Sequence, residues 1–330
     1  MGMGVTATLA GTAETPGIGA DGPGPGTWLG GRFRLEERIS TAGGPGARGM
    51  AGGPGTRGAA GGFPVWKATD RLLGRPVTIH LLPPGPVPRT VADAVRSAAR
   101  VSDPRLATVY DTDFSASRPY IVSEWAPGTH LEDLVRTGLP HPALAAAMIA
   151  DAADAIAVAH RAGRPHLRLT PRCLRWDPGS GLKITGLGLD AALSGATARD
   201  PVAADTAALA RALYALLTGY WPGEEATALP PAPRHRGQVC TPRQVRAGVP
   251  ALLDAITYRG LYGQAADAPL RAQAPAGLAM ALRLVQRPSY RLEEDGPPVP
   301  GPNAGRRQPR HARAGSRGAW HRTVLLRPAV

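Results

Sequence analysis

The repeat of apolar residues changes period once along this chain, at Pro127-Gly128, and that change constrains the fold more than any other feature. Before it, short segments alternate apolar and polar side chains, as strands with one buried face do. These are Arg32-Phe33-Arg34-Leu35-Glu36, Val65–Asp70, Arg75–Leu82, Leu106–Tyr110 and Tyr120–Trp125, with one helix at Val91–Val101 that stops at Asp103-Pro104. After it, apolar residues fall at helical spacing. Leu144, Met148, Ala152, Ile156 and Ala159 share one face, and Leu209, Leu213 and Leu216/Leu217 share a face of Asp205–Thr218. Val249–Tyr258 and Ala276–Val285 add two weaker helices. The pattern predicts an α+β, bilobal chain with a small sheet-rich N-terminal lobe and a helical C-terminal lobe.

Composition marks off what cannot pack. The chain has 42 glycines and 35 prolines, close to a quarter of its 330 residues. They concentrate in an aperiodic leader at 1–29 and in a Gly-rich insert at 43–62. They recur, with arginine, in a tail at 288–330, and all three segments read as disordered. The insert carries a tandem duplication, Gly43–Ala51 and Gly52–Ala60, that matches at most of nine positions. Two packed lobes are left, 30–124 and 125–287. Cys173 and Cys240 alone make neither a disulfide framework nor a metal cluster, which fits a reducing cytoplasm. The N-terminus lacks the basic and apolar regions of a secretory signal. The most apolar stretch, Ala143–His160, contains Asp151 and Asp154, so no membrane span is expected.

The net charge of +13 raises the question of a nucleic-acid partner. Only Lys67 and Lys183 are lysines, and much of the arginine excess lies in the tail without aromatic stacking residues or a nucleic-acid motif. No specific nucleic-acid partner is expected.

The segment 164–190, RPHLRLTPRCLRWDPGSGLKITGLGLD, carries the strongest functional signal. His166–Cys173 has the outline of the loop H-R-D-L-x-x-x-N, and Gly186-Leu187-Gly188 that of D-F-G. GGRFRLEERIS and VWKATDRLLGRPV precede it. RSAARVSDPRLATVYD, RPYIVSEWAPGTHLEDLV and ADTAALARALYALLTGYWPG complete an ordered series over about residues 30–285. The chain therefore resembles the bacterial eukaryotic-like Ser/Thr protein kinases, as a degenerate member. Its texture is similar to the actinobacterial pseudokinase modules associated with the lipid-linked peptidoglycan precursor flippase.

The resemblance implies a protein-kinase-like fold and assigns each position a job. Phosphoryl transfer rests on positioning and charge stabilisation, so absent charges are absent function. The phosphate-holding lysine falls at His80 and its helix partner at Ala94. The proton-accepting Asp falls at Arg168 and the lysine after it at Thr170. The two Mg-binding residues fall at Cys173 and Gly186. Arginine stays protonated and cannot act as a base, and neither thiol nor glycine suits a hard cation. Asp177 and Asp190 flank these loops and read as a turn residue and as part of the following segment, not as replacements. No metal site and no required cofactor are expected, with ATP held weakly at most. The adenine pocket would be Val65, Thr78, Glu124, Trp125 and Ala126. His166 and Asp205 are expected as structural residues, Asp205 anchoring the loop. The segment 189–204 lacks A-P-E and is short for a substrate platform.

The implied function is a catalytically inactive scaffold or regulator in cell-wall synthesis, with a forkhead-associated domain protein or a regulating kinase as partner. It would be cytoplasmic and held near the inner face of the membrane through that partner. The alternatives are an atypical, weakly active Ser/Thr kinase that binds ATP, or a nucleotide sensor without transfer.

Overall fold

The computed structural model describes residues 23–42, 63–262 and 274–285. Most of the leader, the insert and the tail lie outside these residues. Along the chain the elements are β1 (Trp28–Leu29), β2 (Phe33–Ala42), β3 (Phe63–Asp70), β4 (Arg75–Leu81), α1 (Arg89–Ala98), β5 (Val109–Asp113) and β6 (Tyr120–Glu124). Then follow β7 (Thr129–His130), α2 (Leu131–Thr137), α3 (Pro142–Arg161), β8 (Leu174–Asp177), β9 (Gly181–Ile184), α4 (Leu189–Ser194) and α5 (Pro201–Thr218). A small hairpin, β10 (Arg234–His235) and β11 (Gln238–Val239), precedes α6 (Pro242–Val245), α7 (Ala251–Tyr262) and α8 (Pro275–Arg283). The predicted α+β, two-lobed architecture is the observed one.

The upper lobe is a six-stranded antiparallel sheet in the order β1-β2-β3-β4-β6-β5. Period-two alternation divides its side chains. Phe33, Leu35, Trp66, Ala68, Val77, Ile79, Leu81, Tyr120 and Val122 form one apolar cluster. The opposite face carries Val65, Thr78, His80 and Ser123. There Val65 pairs with His80, and Thr78 with Ser123. That second face roofs the cleft between the lobes.

Two details correct the sequence reading. Residues 23–29 are packed rather than leader, because Trp28 and Leu29 pair with Arg34 and Phe33, and Gly26 N–H donates to the Leu35 carbonyl. A two-residue strand leaves no periodic signal. The strand expected at Leu106–Tyr110 instead spans Val109–Asp113. Leu106 is drawn into the lower lobe's core and makes an isolated parallel bridge to Ile184.

In the lower lobe α3 is long enough, and with a mean hydropathy of 1.6 apolar enough, to cross a membrane by length and composition. Here it is a core helix, with Met148, Ile149, Ala152, Ala153 and Ile156 fully buried among residues of α5 and α8. Pro142 at its first turn and the His141 side chain, accepting from Ala143 N–H at 3.3 Å, fix its start. The helix expected from Asp205 starts earlier, at Pro201, where Asp200 accepts from Ala203 N–H at 3.0 Å. Asp205 therefore lies inside α5, free for another role. Gly219, at φ +86°, ends that helix in the left-handed conformation glycine favours.

Candidate functional site

Between the lobes is a cavity of about 640 Å³. Val65, Thr78 and His80 form its roof, with Ser123, Glu124, Trp125 and Ala126 on the connection between lobes. Arg168, Thr170, Cys173, Gly186 and Asp190 lie below. Of the residues singled out from sequence, Ala94, His166 and Asp205 do not line it.

The floor is held by Asp205, which is buried within α5. Its Oδ2 accepts from His166 N–H at 2.7 Å and lies 2.8 Å from His160 Nε2, while Oδ1 accepts from Leu167 N–H at 2.7 Å. These bonds secure Leu167 at φ +60°, a costly conformation for a non-glycine residue. His166 is buried beside it, with Nε2 2.9 Å from the Thr185 carbonyl and Nδ1 accepting from Arg168 N–H at 3.4 Å. A proton on Nε2 and a free lone pair on Nδ1 satisfy both contacts. Asp205 and His166 thus both hydrogen-bond the backbone of the 166–168 loop.

The roof lacks a cation. His80 is 9% exposed, its Nδ1 is buried without a partner among the described residues, and burial lowers its pKa to about 4. The ring is therefore neutral at pH 7. Neither lysine substitutes for it. Lys67 Nζ lies 5.5 Å over the Trp125 ring, and Lys183 Nζ pairs with Glu124 at 2.6 Å. Ala94 offers no charge, and its neighbour Asp93 turns outward to an exposed pair with Arg96.

Below, Arg168 makes no ion pair or side-chain hydrogen bond among the described residues. Burial and the Asp190 carboxylate push the Cys173 thiol up to about 12, and the thiol donates to the Arg168 carbonyl at 3.3 Å. It is neither a thiolate nor a hard-cation ligand. Asp177 is a turn residue as expected, accepting from Gly179 and Ser180 N–H.

Asp190 corrects the sequence reading. Gly186 and Gly188 both take positive φ, +84° and +70°, which turns the chain tightly around the buried Leu187. The turn brings the Asp190 carboxylate back into the cleft. A Cβ built on Gly186 would stand 2.1 Å from Asp190 Oδ2, so this carboxylate fills the space a side chain at 186 needs. Burial raises the Asp190 pKa, with Arg168 acting against it. The sequence signal was two glycines around one apolar residue with an acid two positions on; its meaning depended on tertiary folding.

The donor set does not fit the Mg²⁺ that such a cleft implies. One carboxylate with a raised pKa, an opposing arginine and a protonated thiol are poor partners for a hard dication. Among the described residues no group of three or more His, Cys, Asp or Glu is placed to hold a metal ion.

Two further contacts escaped the sequence reading. Trp125 receives cations from both lobes, Lys67 at 5.5 Å and Arg175 at 5.4 Å from the ring centroid. Arg175 also contacts His130 Nε2 at 2.8 Å, and His130 Nδ1 lies 2.7 Å from the Arg172 carbonyl. These contacts fix a neutral His130 at the cavity edge.

Comparison with known proteins agrees with this architecture. No protein-family model matches the chain. Serine/threonine-protein kinase PknA of Mycobacterium tuberculosis is 30% identical over 186 residues, covering 53% of this chain and 39% of that protein. PknB of Mycobacterium leprae is 27% identical over 194 residues, 50% of this chain and 31% of the relative. The match thus spans 31–39% of these relatives' lengths. The PknI kinase domain of Mycobacterium tuberculosis superposes with a TM-score of 0.54 at 18% identity, covering 79% of this chain and 97% of that domain. The chain has a protein-kinase domain fold and is related in sequence to bacterial Ser/Thr protein kinases.

Proposed function

We propose that this kinase-fold module is catalytically inactive and works by protein contact. One observation carries the reading. The positions at which a kinase needs a base and two metal ligands are Arg168, Cys173 and Gly186, and all three face the same cavity. They present a fixed cation, a protonated thiol and no side chain. The roof adds a neutral His80 where a phosphate-gripping cation belongs. Each preorganised charge in such a site is commonly worth orders of magnitude in rate. Asp190 alone does not restore the set, since a lone acid facing Arg168 supplies no metal pair.

The module would then act as a regulatory surface. It would be phosphorylated by a separate kinase, read by a forkhead-associated domain protein in cell-wall control, and kept at the inner face of the membrane by that partner. The testing experiment incubates the full chain with labelled ATP, Mg²⁺ or Mn²⁺ and a generic acceptor protein. No label should enter either polypeptide. Labelling that is abolished by Asp190→Asn would overturn the reading, because it would show a working cleft built on the relocated acid.

A further inference from the structure

We propose that the deep end of the cleft is a charge-balanced polar site that selects an uncharged, hydroxyl-bearing ligand of nucleoside size over a nucleotide. Three groups there have unmet hydrogen-bonding capacity. His80 is more than nine-tenths buried, and its Nδ1 has no partner among the described residues. An unpaired buried lone pair costs less than an unpaired buried N–H. With the proton on Nε2, the ring that lines the cavity is a donor without charge. Arg168 is a half-buried cation without an ion pair among the described residues. The Asp190 carboxylate has one side-chain contact, the Cys173 thiol at 3.7 Å.

The chemistry of the ligand follows from these three. A hydroxyl both donates and accepts, so neighbouring hydroxyls can meet Asp190 on one side and His80 or Arg168 on the other. A polyphosphate only accepts. It would set several negative charges against Asp190 and against Glu124, Glu224 and Glu225, which also line the cavity, with no metal pair to help. Away from this end the walls suit a planar base, with Val65 and Ile39 apolar and Thr78 and Ser123 polar. The ranking reverses what a phosphate-transferring cleft requires. It concerns binding, whereas the inactive reading concerns transfer, and the two fail separately.

The test is titration calorimetry on the full chain with adenosine, ATP, and ATP plus Mg²⁺. Adenosine should bind, ATP should bind weaker by about tenfold or more, and Mg²⁺ should leave the ATP value unchanged. Asp190→Asn keeps the side chain's shape and removes its charge, so it should narrow the gap by strengthening ATP. Should that variant fail to fold, the wild-type salt series decides, because added salt should strengthen ATP relative to adenosine by screening the repulsion. ATP binding as tightly as adenosine, a gain with Mg²⁺, or no adenosine binding would each overturn the proposal. Label transfer would sink the inactive reading and leave the ranking untouched.

Discussion

Asp205 shows what a single residue does in this cleft once catalysis is set aside. Two backbone N–H groups and His160 converge on one buried carboxylate, and that convergence holds the 166–168 loop. Charge-assisted bonds of this kind are roughly twice as strong as neutral ones, and orphaned buried donors cost about 1–3 kcal/mol each. Asp205→Ala should therefore lose about 3 kcal/mol or more of unfolding free energy in a denaturant titration. Asp205→Ser should lose nearly as much, because its hydroxyl is too short to reach the loop. Full stability in the Ser variant would reduce Asp205 to a local helix residue, a role the Asp200 cap already fills.

Among the elements, the β2–β3 hairpin permits a direct test of the reading of 43–62 as an unpacked insert. Ala42 stands opposite Phe63 in register, so both strands are complete before the connecting segment begins. Paired positions of this kind lie about 5 Å apart, a gap that a two-residue Asn-Gly turn bridges with the right twist. Replacing 43–62 by Asn-Gly should leave the thermal midpoint unchanged or raised, since it removes a long glycine-rich closure. A drop of more than a few degrees would mean that the segment contributes packing. At the other end of the cleft, α4 acts as a second wedge. Its Leu189 and Leu193 are buried with Leu82, Val91, Val95 and Ile121, which ties the residues after the Gly186 turn to α1 and to the sheet.

At the scale of the whole molecule, cleft neutrality becomes a pH dependence. His80 has a folded pKa of about 4 against an ordinary 6.5, so between these values the unfolded chain binds more protons. Its contribution is fully present above pH 6.5 and is lost as pH falls toward 4, by roughly 2–3 kcal/mol. His80→Met should flatten that part of the acid limb, seen as a smaller fall in unfolding free energy from pH 7 to pH 4.5 than in the wild type. An unchanged acid limb would mean that His80 is hydrated in the folded state. Much of the architecture was legible before any coordinates. The change of period at Pro127-Gly128 located the lobes, and His80, Arg168, Cys173 and Gly186 all reach the cavity as expected. What escaped was set by tertiary geometry. Trp28–Leu29 was too short to show periodicity, Leu106 was taken by a neighbouring core, and Asp190 became a cleft residue only through two left-handed glycines.

That last arrangement also governs whether a carboxylate could occupy position 186. Glycine and aspartate codons differ by one base, so a carboxylate at 186 is a single mutational step away. The step is strained here, because the incoming Cβ would have to displace the Asp190 carboxylate and the backbone there is left-handed. A carboxylate at 186 therefore has to move Asp190 out of its place and take up a left-handed backbone at once.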